Sequence, residues 1–483
     1  MNPKTVDTEV VIIGSGVAGL AAALTVAEGG ATKVTVFEKE RSPGGTSNFL
    51  QGTFAVESPM QRERYIMYSR DEAFKNIMEY SHWIANPRLV RAIVNESAAT
   101  INWLQKQGVV ISDVTINMPD SPRTYHVIKG KGEALVKVFI MRSKEIGVDI
   151  RLATPVKRII KQGDRISGVM AEADGEEMQV NTKVVIIASG GYANNKEWIK
   201  KYTGFDLGVN LMPIGNVDKT GDGIRMAWEA GAAEEGKNLL ELYRSGPTGG
   251  DFSLGNQIEF AVTQPDLWVD PKGERFCDES ICFYDSSVGN ANARSKDGYT
   301  WSIFDEGVIK RMLERGIDKN VAIDSMPGSK PTGIERELKA ALDKKSTEVY
   351  EADSIEALAT KIGVSLAALK KTIEEYNDAC EKKYDKQFAK DPRYLWPIKG
   401  PKYYAVKART VFLGTMGGIK INEKCEVVDK KEAAILGLYA AGFDAGGMYG
   451  DSYPIKCSSG LASAFALNSG RIAGKNALKF LGK

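Results

Sequence analysis

The spacing of apolar residues near the start of the chain predicts a strand, a helix and a second strand in direct succession. Residues 10–13 are four β-branched apolar side chains, which is typical of a strand buried on both faces. An alanine-rich stretch follows at residues 17–27, and a second β-branched run lies at residues 33–37. This order predicts a parallel βαβ unit. A membrane span is the alternative for residues 10–27, but the run falls short of the ~20 apolar residues that a span needs.

Similar short apolar runs recur much later in the chain. Residues 183–187 and 437–441 each predict a buried strand that ends in small residues. Residues 156–160 and 166–172 predict a hairpin, and residues 460–481 predict a C-terminal helix. The predicted parallel sheet therefore draws strands from both ends of the chain.

Residues 260–412 differ in composition from the segments that flank them. They contain charged helical stretches at residues 334–345 and 354–383, and no strand there ends in glycines. We therefore predict an α/β fold, with a Rossmann-like domain at residues 1–259 and 413–483 and an inserted α+β domain at residues 260–412 that covers a ligand.

The turn after the first strand has the glycine spacing of a dinucleotide site. Gly14 permits the tight turn, Gly16 lets a pyrophosphate approach the backbone, and Gly19 lets helix and strand pack closely. The N-terminus of the helix offers N–H groups to phosphate charge. Glu38 ends the second strand, where its carboxylate can accept both ribose hydroxyls of an adenosine. These features occur in the order that a nucleotide site requires.

Charge, cysteine and histidine content exclude several classes of function. The 483 residues contain 64 Lys and Arg against 62 Asp and Glu, so a net charge of +2 gives no field that attracts nucleic acid or an anionic membrane. We expect a small-molecule substrate and, because residues 1–7 lack an apolar signal core, a cytoplasmic location. Five cysteines without a CxxC motif and only two histidines argue against a disulfide framework, attached haem, an iron–sulfur cluster or a metal site.

Six glycine-containing or charged motifs are spread over nearly the whole chain, namely VIIGSG at residues 11–16, PGGTS at 43–47, IASGG at 187–191, GERFCDE at 273–279, GTMGG at 414–418 and GLYAAG at 437–442. Together and in this order they resemble the FAD-binding pattern of the fumarate reductase and 3-ketosteroid dehydrogenase superfamily. The resemblance implies an FAD-dependent oxidoreductase. The Rossmann-like domain is then the FAD-binding domain and the inserted domain is a substrate-capping domain.

The resemblance also implies which residues contact the cofactor. In covalent members a histidine near the second glycine pair carries the flavin, and residues 46–49 contain none, so we expect noncovalent FAD. The positions that match the family's cofactor contacts are Gly14, Ser15, Gly16, Ala18 and Gly19 at the pyrophosphate, Glu38 at the ribose, Val156 at the adenine, Lys39, Gly44, Gly45, Thr46 and Ser47 on the phosphate and isoalloxazine side, and Ser189, Gly190, Gly442 and Asp444 near the ribityl chain or phosphates.

The substrate-binding segments depart from the fumarate-reducing pattern. Fumarate reductases have an arginine proton donor shortly after the Arg-Phe-x-x-Glu segment, where this chain has Tyr284. They bind the two substrate carboxylates with a histidine before Thr-Met-Gly-Gly and an arginine in the last glycine-rich loop, whereas residues 412–414 and 448–457 contain neither residue type. Two buried carboxylates without cationic partners are costly, so the sequence disfavours fumarate reduction.

The last loop is more similar to the ketosteroid dehydrogenase branch. Tyr453 matches the tyrosine that polarises a ring ketone, and Cys457 falls where that branch has a glycine with an available backbone N–H. Such donors act as an oxyanion hole. Tyr284 is then the candidate that gives or takes the proton at the carbon opposite the hydride. The alternative is that both tyrosines pack at an interface with satisfied hydroxyls.

Three other polar residues have a structural interpretation beside a functional one. His126 is a candidate to bind substrate or flavin, and equally a candidate for a structural hydrogen bond. Arg275 and Glu279 are expected to form a structural ion pair.

The sequence thus predicts an FAD-dependent reductase that transfers a hydride between flavin N5 and a carbon of a nonacidic ring substrate, such as an enone, a steroid or a flavonoid. In one alternative, Arg294, Arg409 or Lys456 binds the acid group of a fumarate- or acrylate-type substrate. In the other, the chain is a flavin electron-transfer or sensor subunit. The electron donor is not identified, NAD(P)H or a redox protein, because no second GxGxxG motif marks an NAD(P)H domain.

Overall fold

The structure is a computed structural model that describes residues 4–116, 118, 120–214, 217–247, 252, 256–295, 297–321 and 325–483. The chain forms two compact units. The first unit comprises Met1–Gly204, Gly215–Glu241 and Leu413–Lys483, and the second comprises Phe205–Ile214 and Leu242–Phe412. Within the segment 1–7 that lacks an apolar signal core in sequence, residues 1–3 lie outside the described residues.

The strands of the described residues, numbered along the chain, are β1 Lys4–Asp7, β2 Val10–Ile13, β3 Val34–Phe37, β4 Gly52–Phe54, β5 Ile111–Thr115, β6 Tyr125–Ile128, β7 Asp149–Arg151, β8 Val156–Gln162, β9 Arg165–Ala173, β10 Glu176–Asn181, β11 Val184–Ile187, β12 Met212–Pro213, β13 Glu234–Glu235, β14 Leu240–Ser245, β15 Leu267–Val269, β16 Tyr299–Asp305, β17 Val349–Ala352, β18 Tyr403–Thr415, β19 Gly418–Ile419, β20 Glu426–Val428 and β21 Ala434–Ala440.

The α-helices of the same residues are α1 Val17–Glu28, α2 Pro59–Glu63, α3 Arg70–Tyr80, α4 Pro87–Lys106, α5 Lys131–Glu145, α6 Lys196–Thr203, α7 Asp222–Glu229, α8 Ile258–Thr263, α9 Asp285–Ala293, α10 Glu306–Arg315, α11 Ile334–Asp343, α12 Ile355–Ile362, α13 Leu366–Lys382 and α14 Leu461–Phe480. Short 3-10 helices lie at Gly45–Phe49, Glu279–Phe283, Pro392–Tyr394 and Gly442–Asp444.

The first unit is built on a largely parallel sheet in the order β1-β10-β9-β21-β11-β2-β3-β7. Strand β2 pairs in parallel with β3 and with β11, with Val10 opposite Val34 on one side and Val184 on the other. The predicted βαβ unit is therefore confirmed. Strand β21 pairs in parallel with β11, which places a strand from the C-terminal part of the chain beside strands from its beginning.

Helices α1 and α14 approach each other closely because glycines of α14 face α1. A Cβ on Gly470 would lie 2.2 Å from the carbonyl oxygen of Ala18. A Cβ on Gly474, one turn later, would lie 3.1 Å from the carbonyl oxygen of Ala22. Ten residues of α1 are buried, so this helix is apolar on all sides and forms part of the core.

The second unit combines a mostly antiparallel sheet with helices, as the α+β prediction required. Its sheet contains β12 and β14 to β18, with β18 paired to β16 and β17. Residues 205–214 join this unit because Met212 and Pro213 pair with Val411 and Phe412 of β18. The predicted helical stretch at residues 354–383 is two helices, α12 and α13, because Gly363 ends the first in a left-handed conformation.

Three further properties concern the described part of the chain as a whole. No helix there combines the length and the apolar composition that crossing a bilayer requires. No group of three or more His, Cys, Asp or Glu side chains there is arranged to hold a metal ion. All five cysteines are free thiols.

Candidate functional site

The turn between β2 and α1 is shaped by glycines whose side-chain positions are taken up by neighbouring atoms. Gly14 has a φ of 104°, and a Cβ there would lie 2.3 Å from the carbonyl oxygen of Ala188. A Cβ on Gly19 would lie 2.0 Å from the carbonyl oxygen of Gly14. A Cβ on Gly442 would lie 3.1 Å from that of Ala18, which brings the end of β21 to the same turn. Packing of the protein itself therefore requires glycine at Gly14 and Gly19.

Two other glycines of the predicted cofactor site are less crowded. A Cβ on Gly16 would have the Ser47 hydroxyl, at 3.4 Å, as its nearest neighbour, and around Gly45 no described atom lies within 4 Å of that position. Gly16 is the N-cap of α1, and the first turn of that helix contains no acidic side chain. No side chain of the first turn of α1 therefore offsets the partial positive charge of its N-terminus, which fits the phosphates of a dinucleotide.

Glu38 follows β3, and its carboxylate reaches the glycine turn. One oxygen accepts hydrogen bonds from the backbone N–H of Ser15, at 2.9 Å, and from the Ser15 hydroxyl, at 2.7 Å. The other oxygen accepts the N–H of Glu40 at 2.9 Å. A carboxylate has about four acceptor positions, so capacity remains for a ribose hydroxyl. The Glu38 carbonyl accepts the N–H of Thr154 at 2.8 Å, and the buried Val156 follows two residues later.

The second glycine pair leads into a 3-10 helix that contacts the N-terminus of α1. The Ser47 hydroxyl accepts the N–H of Val17, the first residue of α1, at 2.9 Å. The N–H of Gly44 donates to the Ser15 hydroxyl at 3.3 Å. Thr46 lies in the same 3-10 helix and is half-buried. The structure thus brings the two glycine segments together, as expected for one cofactor site.

Asp444 is fully buried, and its carboxylate binds the turn that follows β11. It accepts the backbone N–H groups of Gly190, at 3.0 Å, of Gly191, at 2.9 Å, and of Ser189. The Ser189 hydroxyl donates to it as well, at 3.1 Å. Burial raises the pKa of Asp444, and these donors oppose that rise. Since four protein donors fill the acceptor positions of this carboxylate, we expect Asp444 to act on a cofactor by shaping this turn.

Lys39 follows Glu38, and carboxylates of the same unit bind its amine. The amine lies 2.8 Å from Asp222 and 3.0 Å from Asp218, and it donates to the Thr220 hydroxyl at 2.8 Å. These contacts fix the start of α7 beside the end of β3. The contact of Lys39 with cofactor phosphates stays a prediction.

Tyr453 is buried in the last glycine-rich loop, and its hydroxyl reaches the N-terminus of α14. The backbone N–H of Ala462, the second residue of that helix, donates to the hydroxyl oxygen at 3.1 Å. Tyr449, which the sequence did not single out, packs beside it with ring centroids 5.6 Å apart. The Tyr449 hydroxyl is buried and has no hydrogen-bond partner among the described residues. An N–H bond to a phenol oxygen strengthens the phenol as a donor, which suits Tyr453 to polarise a substrate oxygen.

Cys457 lies in the same loop, but its backbone N–H is engaged. That N–H donates to the carbonyl oxygen of Pro454 at 3.2 Å and closes a turn. The available N–H expected at this position is therefore not observed. The Cys457 carbonyl accepts the Tyr68 hydroxyl at 3.3 Å, and burial raises the pKa of the thiol to about 11. A part for Cys457 in polarising a ketone stays a prediction.

Tyr284 belongs to the second unit, where it joins two helices. It follows the 3-10 helix Glu279–Phe283 and is the N-cap residue of α9. Its side chain is half-buried and packs against a buried cluster that includes Trp268 and Val288. Its role as proton donor stays a prediction.

Lys219 is a buried lysine of the first unit that the sequence does not mark. Lys219 is 4% exposed, and its amine donates to the carbonyl oxygen of Leu413 at 3.0 Å. Burial lowers the pKa of Lys219 to about 8, and the negative charges of Glu241 and Asp444 oppose that shift. The residue stands in a polar, glycine-containing loop, where a lysine is ordinarily solvated, so no sequence signal marks its burial.

His126 is fully buried and makes two hydrogen bonds inside the first unit. Its Nε2 lies 2.7 Å from the Ser58 hydroxyl oxygen, and its Nδ1 lies 3.0 Å from the carbonyl oxygen of Thr124. Burial lowers the pKa of His126 to about 4, so the ring is neutral at pH 7. These contacts support the structural interpretation.

Arg275 and Glu279 form the expected buried ion pair in the second unit, at 2.7 Å. Two further residues, which no sequence signal marks, complete this cluster. Asp385 lies 2.9 Å from Arg275, and Lys390 lies 3.2 Å from Glu279. Two positive and two negative groups thus balance one another inside this unit.

Comparison with known proteins places these features in a family. Residues 9–461 match the family described as FAD binding domain. The chain is 35% identical to vinyl phenol reductase from Lactiplantibacillus plantarum, over 98% of this chain and 96% of that protein. The open conformation of a flavocytochrome c3 fumarate reductase is similar with a TM-score of 0.76 and 25% identity, over 99% of this chain and 79% of that one. The 3-ketosteroid delta1-dehydrogenase from Sterolibacterium denitrificans is similar in fold, with a TM-score of 0.79 and 19% identity over 98% and 99% of the two chains.

These matches confirm the predicted resemblance, the α/β fold and FAD as the cofactor. The uncrowded backbone at Gly16, the open space at Gly45 and the acceptor capacity of Glu38 fit that cofactor. The chain therefore belongs to the FAD binding domain family, and it is an FAD-dependent oxidoreductase of the group that acts on C=C bonds of unsaturated substrates.

Proposed function

We propose that this protein reduces a C=C bond in a nonacidic, ring-containing substrate whose double bond is conjugated to a carbonyl or a phenol group. The observation that carries this proposal is the Tyr453 hydroxyl, which the N–H of Ala462 fixes at 3.1 Å at the N-terminus of α14. A neutral hydrogen-bond donor suits a ketone or phenol oxygen. The similarity to a vinyl phenol reductase over nearly the whole of both chains supports the same class of substrate.

The surroundings of three cationic side chains weigh against an acidic substrate. Arg409 is already engaged by a carboxylate of the protein, that of Glu348, at 2.5 Å. Arg294 and Lys456 are exposed. A substrate carboxylate bound by an exposed side chain would gain little, because water screens the attraction.

The proposed chemistry divides between the cofactor and two tyrosines. Reduced FAD supplies the hydride when it is bound. In a carbonyl-conjugated substrate, Tyr453 holds the carbonyl oxygen by a hydrogen bond, which stabilises the negative charge that develops there as hydride adds to the β-carbon. A phenol substrate first loses its O–H proton to solvent and takes the proton of Tyr284 at the terminal carbon, and Tyr453 then stabilises the phenolate charge that re-forms as hydride adds to the carbon beside the ring. Tyr284 delivers a proton to the neighbouring carbon, so the C=C bond gains one hydride and one proton.

The first experiment tests the class of substrate. The flavin of the purified holoprotein is reduced without oxygen, and its visible absorbance is followed while 4-vinylphenol, an enone steroid, an isoflavone, cinnamate or fumarate is added. We expect rapid reoxidation by a nonacidic ring substrate and none by fumarate. Reoxidation by the acids alone would overturn the proposal, and no reoxidation by any compound would favour an electron-transfer or sensor subunit.

The second experiment tests the two tyrosines. Tyr453→Phe and Tyr284→Phe should each slow reoxidation by the accepted substrate about 100-fold or more, as expected when a transition-state donor or a general acid is removed. The controls are Tyr439→Phe in the first unit, whose hydroxyl donates to the Asn476 carbonyl oxygen at 3.2 Å, and Tyr394→Phe in the second, whose ring packs on Phe283. A rate within threefold of the wild type, on the order of 0.6 kcal/mol, would remove the role of the tyrosine concerned.

The electron donor is tested with the same holoprotein. Anaerobic addition of NADH or NADPH should reduce the flavin directly if a nicotinamide is the donor. If neither nicotinamide reduces the flavin but a reduced viologen does, a redox protein is the proposed donor.

Reduction of an unsaturated acid is a second candidate function, which one observation favours. Arg244 of the second unit is buried and donates to four neutral oxygen acceptors, those of Asn292, Thr300, Val262 and Ser302. Among the described residues no carboxylate forms an ion pair with it, and it lines a small cavity together with Lys319. The cinnamate and fumarate arms of the first experiment decide between the two candidates.

A further inference from the structure

The side chain of Lys219 connects two glycine segments of the first unit. Its Cδ lies 3.5 Å from the Cβ position of Gly190, in the turn that Asp444 shapes. Its amine lies 3.5 Å from the Cβ position of Gly414 and donates to the carbonyl oxygen of Leu413 at 3.0 Å. One cationic group is thus held where the turn after β11 meets the segment at residues 414–418.

This charge is buried without a carboxylate in direct contact. The side chain is 4% exposed, and within the described ranges no carboxylate oxygen forms an ion pair with its amine. Glu241 and Asp444 act on it through longer-range electrostatic attraction. An ammonium group held in this way is costly, because burial removes water and only partial compensation replaces it. An additional negative charge nearby would stabilise it.

We propose that Lys219 raises the reduction potential of the bound FAD by stabilising the negative charge that the flavin gains on reduction. The inference rests on a flavin whose ribityl chain lies at Ser189 and Gly190, as the family resemblance implies, and whose isoalloxazine ring extends towards residues 414–418, which the Lys219 amine contacts. Reduction adds two electrons from the donor and one proton from solvent, so the neutral isoalloxazine acquires one negative charge. A fixed cation beside it favours the reduced form over the oxidised form. Lys219 therefore acts on the cofactor through its positive charge and makes no contact with substrate in this role.

The test is the midpoint potential of the holoprotein, measured without substrate by dye-coupled anaerobic reduction of Lys219 variants. Lys219→Met removes both the charge and the hydrogen bond to Leu413. Lys219→Gln removes the charge but keeps an N–H that can donate to the Leu413 carbonyl oxygen. Lys219→Arg keeps the charge.

We expect the midpoint potential of the flavin to depend on the positive charge at position 219. In Lys219→Met and Lys219→Gln the equilibrium constant for flavin reduction should fall about tenfold or more, which is about 30 mV for a two-electron couple. Lys219→Arg should stay near the wild type. The same two uncharged variants should bind sulfite at flavin N5 about tenfold more weakly, because that adduct also carries negative charge on the flavin.

The matched control is Lys161→Met, because the Lys161 amine also donates to a backbone carbonyl oxygen, that of Ala230, at 2.7 Å. It should leave both readouts unchanged. An unchanged potential in Lys219→Gln would overturn the proposal, because the potential would then not depend on the charge at this position. Loss of FAD from all three variants, the arginine variant included, would also overturn it. Both readouts are independent of turnover, so they remain informative if the proposed substrate class is wrong.

Discussion

The Asp444 carboxylate lies 2.9 Å from the backbone N–H of Gly191, although 253 positions separate the two residues in the chain. The N–H groups of Ser189 and Gly190 donate to the same carboxylate, so one buried side chain holds three consecutive backbone N–H groups of this turn. A carboxylate that accepts several N–H groups is hard to replace, because each donor left alone in the interior costs the free energy of its lost hydration.

Asp444→Asn should destabilise the protein and reduce its retention of FAD. The amide nitrogen of asparagine would face N–H donors, so at least one of them loses its acceptor, at a cost of about 1–3 kcal/mol. Urea unfolding of the apoprotein and the ratio of flavin to protein absorbance after gel filtration measure the two effects. Asp429→Asn is the control, because Asp429 also accepts two N–H groups, those of Lys431 and Ala433, but is only half-buried. Equal effects of the two substitutions would contradict the role given to burial.

Gly16→Ala should weaken FAD binding, whereas Gly19→Ala should lower the stability of the fold. A Cβ on Gly19 would lie 2.0 Å from the Gly14 carbonyl oxygen, so Gly19→Ala should cost about 3 kcal/mol or more in the free energy of unfolding of the apoprotein. A Cβ on Gly16 would make only ordinary contacts, with the Ser47 hydroxyl at 3.4 Å and the Gly44 carbonyl oxygen at 3.9 Å, so Gly16→Ala should leave that free energy nearly unchanged and weaken FAD binding about tenfold or more. Calorimetric titration of apoprotein with FAD measures the binding. Normal FAD affinity in a stably folded Gly16→Ala variant would show that the phosphates bind elsewhere.

Glu38→Gln should distinguish FAD from FMN. If Glu38 binds the adenosine ribose, the uncharged amide should weaken FAD binding about tenfold, about 1.4 kcal/mol, and leave FMN binding unchanged, because FMN has no adenosine. Glu40→Gln is the neighbouring control, since only the backbone N–H of Glu40 contacts Glu38 in this region. A parallel loss of affinity for both flavins would mean that Glu38 acts by holding Ser15 and not by binding ribose.

His126 should make stability sensitive to acid. Burial lowers its pKa in the folded state to about 4 from 6.5, so between these values the unfolded state binds more protons. Stability from this group is complete above about pH 6.5 and declines as the pH falls towards 4. The difference in unfolding free energy between wild type and His126→Gln should therefore narrow over that range. His82→Gln is the control, because the side chain of His82 is 73% exposed. A constant difference between pH 7 and pH 4.5 would contradict the assignment.

The sheet of the first unit was predictable because its buried strands carry continuous β-branched runs. Residues 10–13 and 184–187 have that signature, and glycines mark where the strands end. The contribution of residues 205–214 to the second unit was not predictable. Its basis is the pairing of Met212 with Val411, and a strand of two residues has no periodicity of its own.

The candidate site likewise has a part that the sequence predicts and a part that it does not. Features made by backbone, such as the turns at Gly14 and Gly190, follow from glycine spacing alone. Buried charged residues cannot be predicted from such spacing. Lys219 and Lys390 lie in polar segments of the sequence that are typical of exposed loops, and only the tertiary structure buries them. Glu241 and Asp385 likewise depend on partners distant in sequence. Burial of a charged residue is a property of the whole fold, which a local pattern does not contain.

The position of β21 between β9 and β11 has a consequence for synthesis on the ribosome. Until residues 434–440 have emerged, the sheet of the first unit has an open gap at its centre, and α1 has no α14 against which to bury its apolar surface. The second unit, whose segments all precede residue 413, is complete earlier. We therefore expect the nascent chain to fold its inserted unit first, to need protection of strands β1 to β11 meanwhile, and to acquire flavin only after residues 434–440 have emerged.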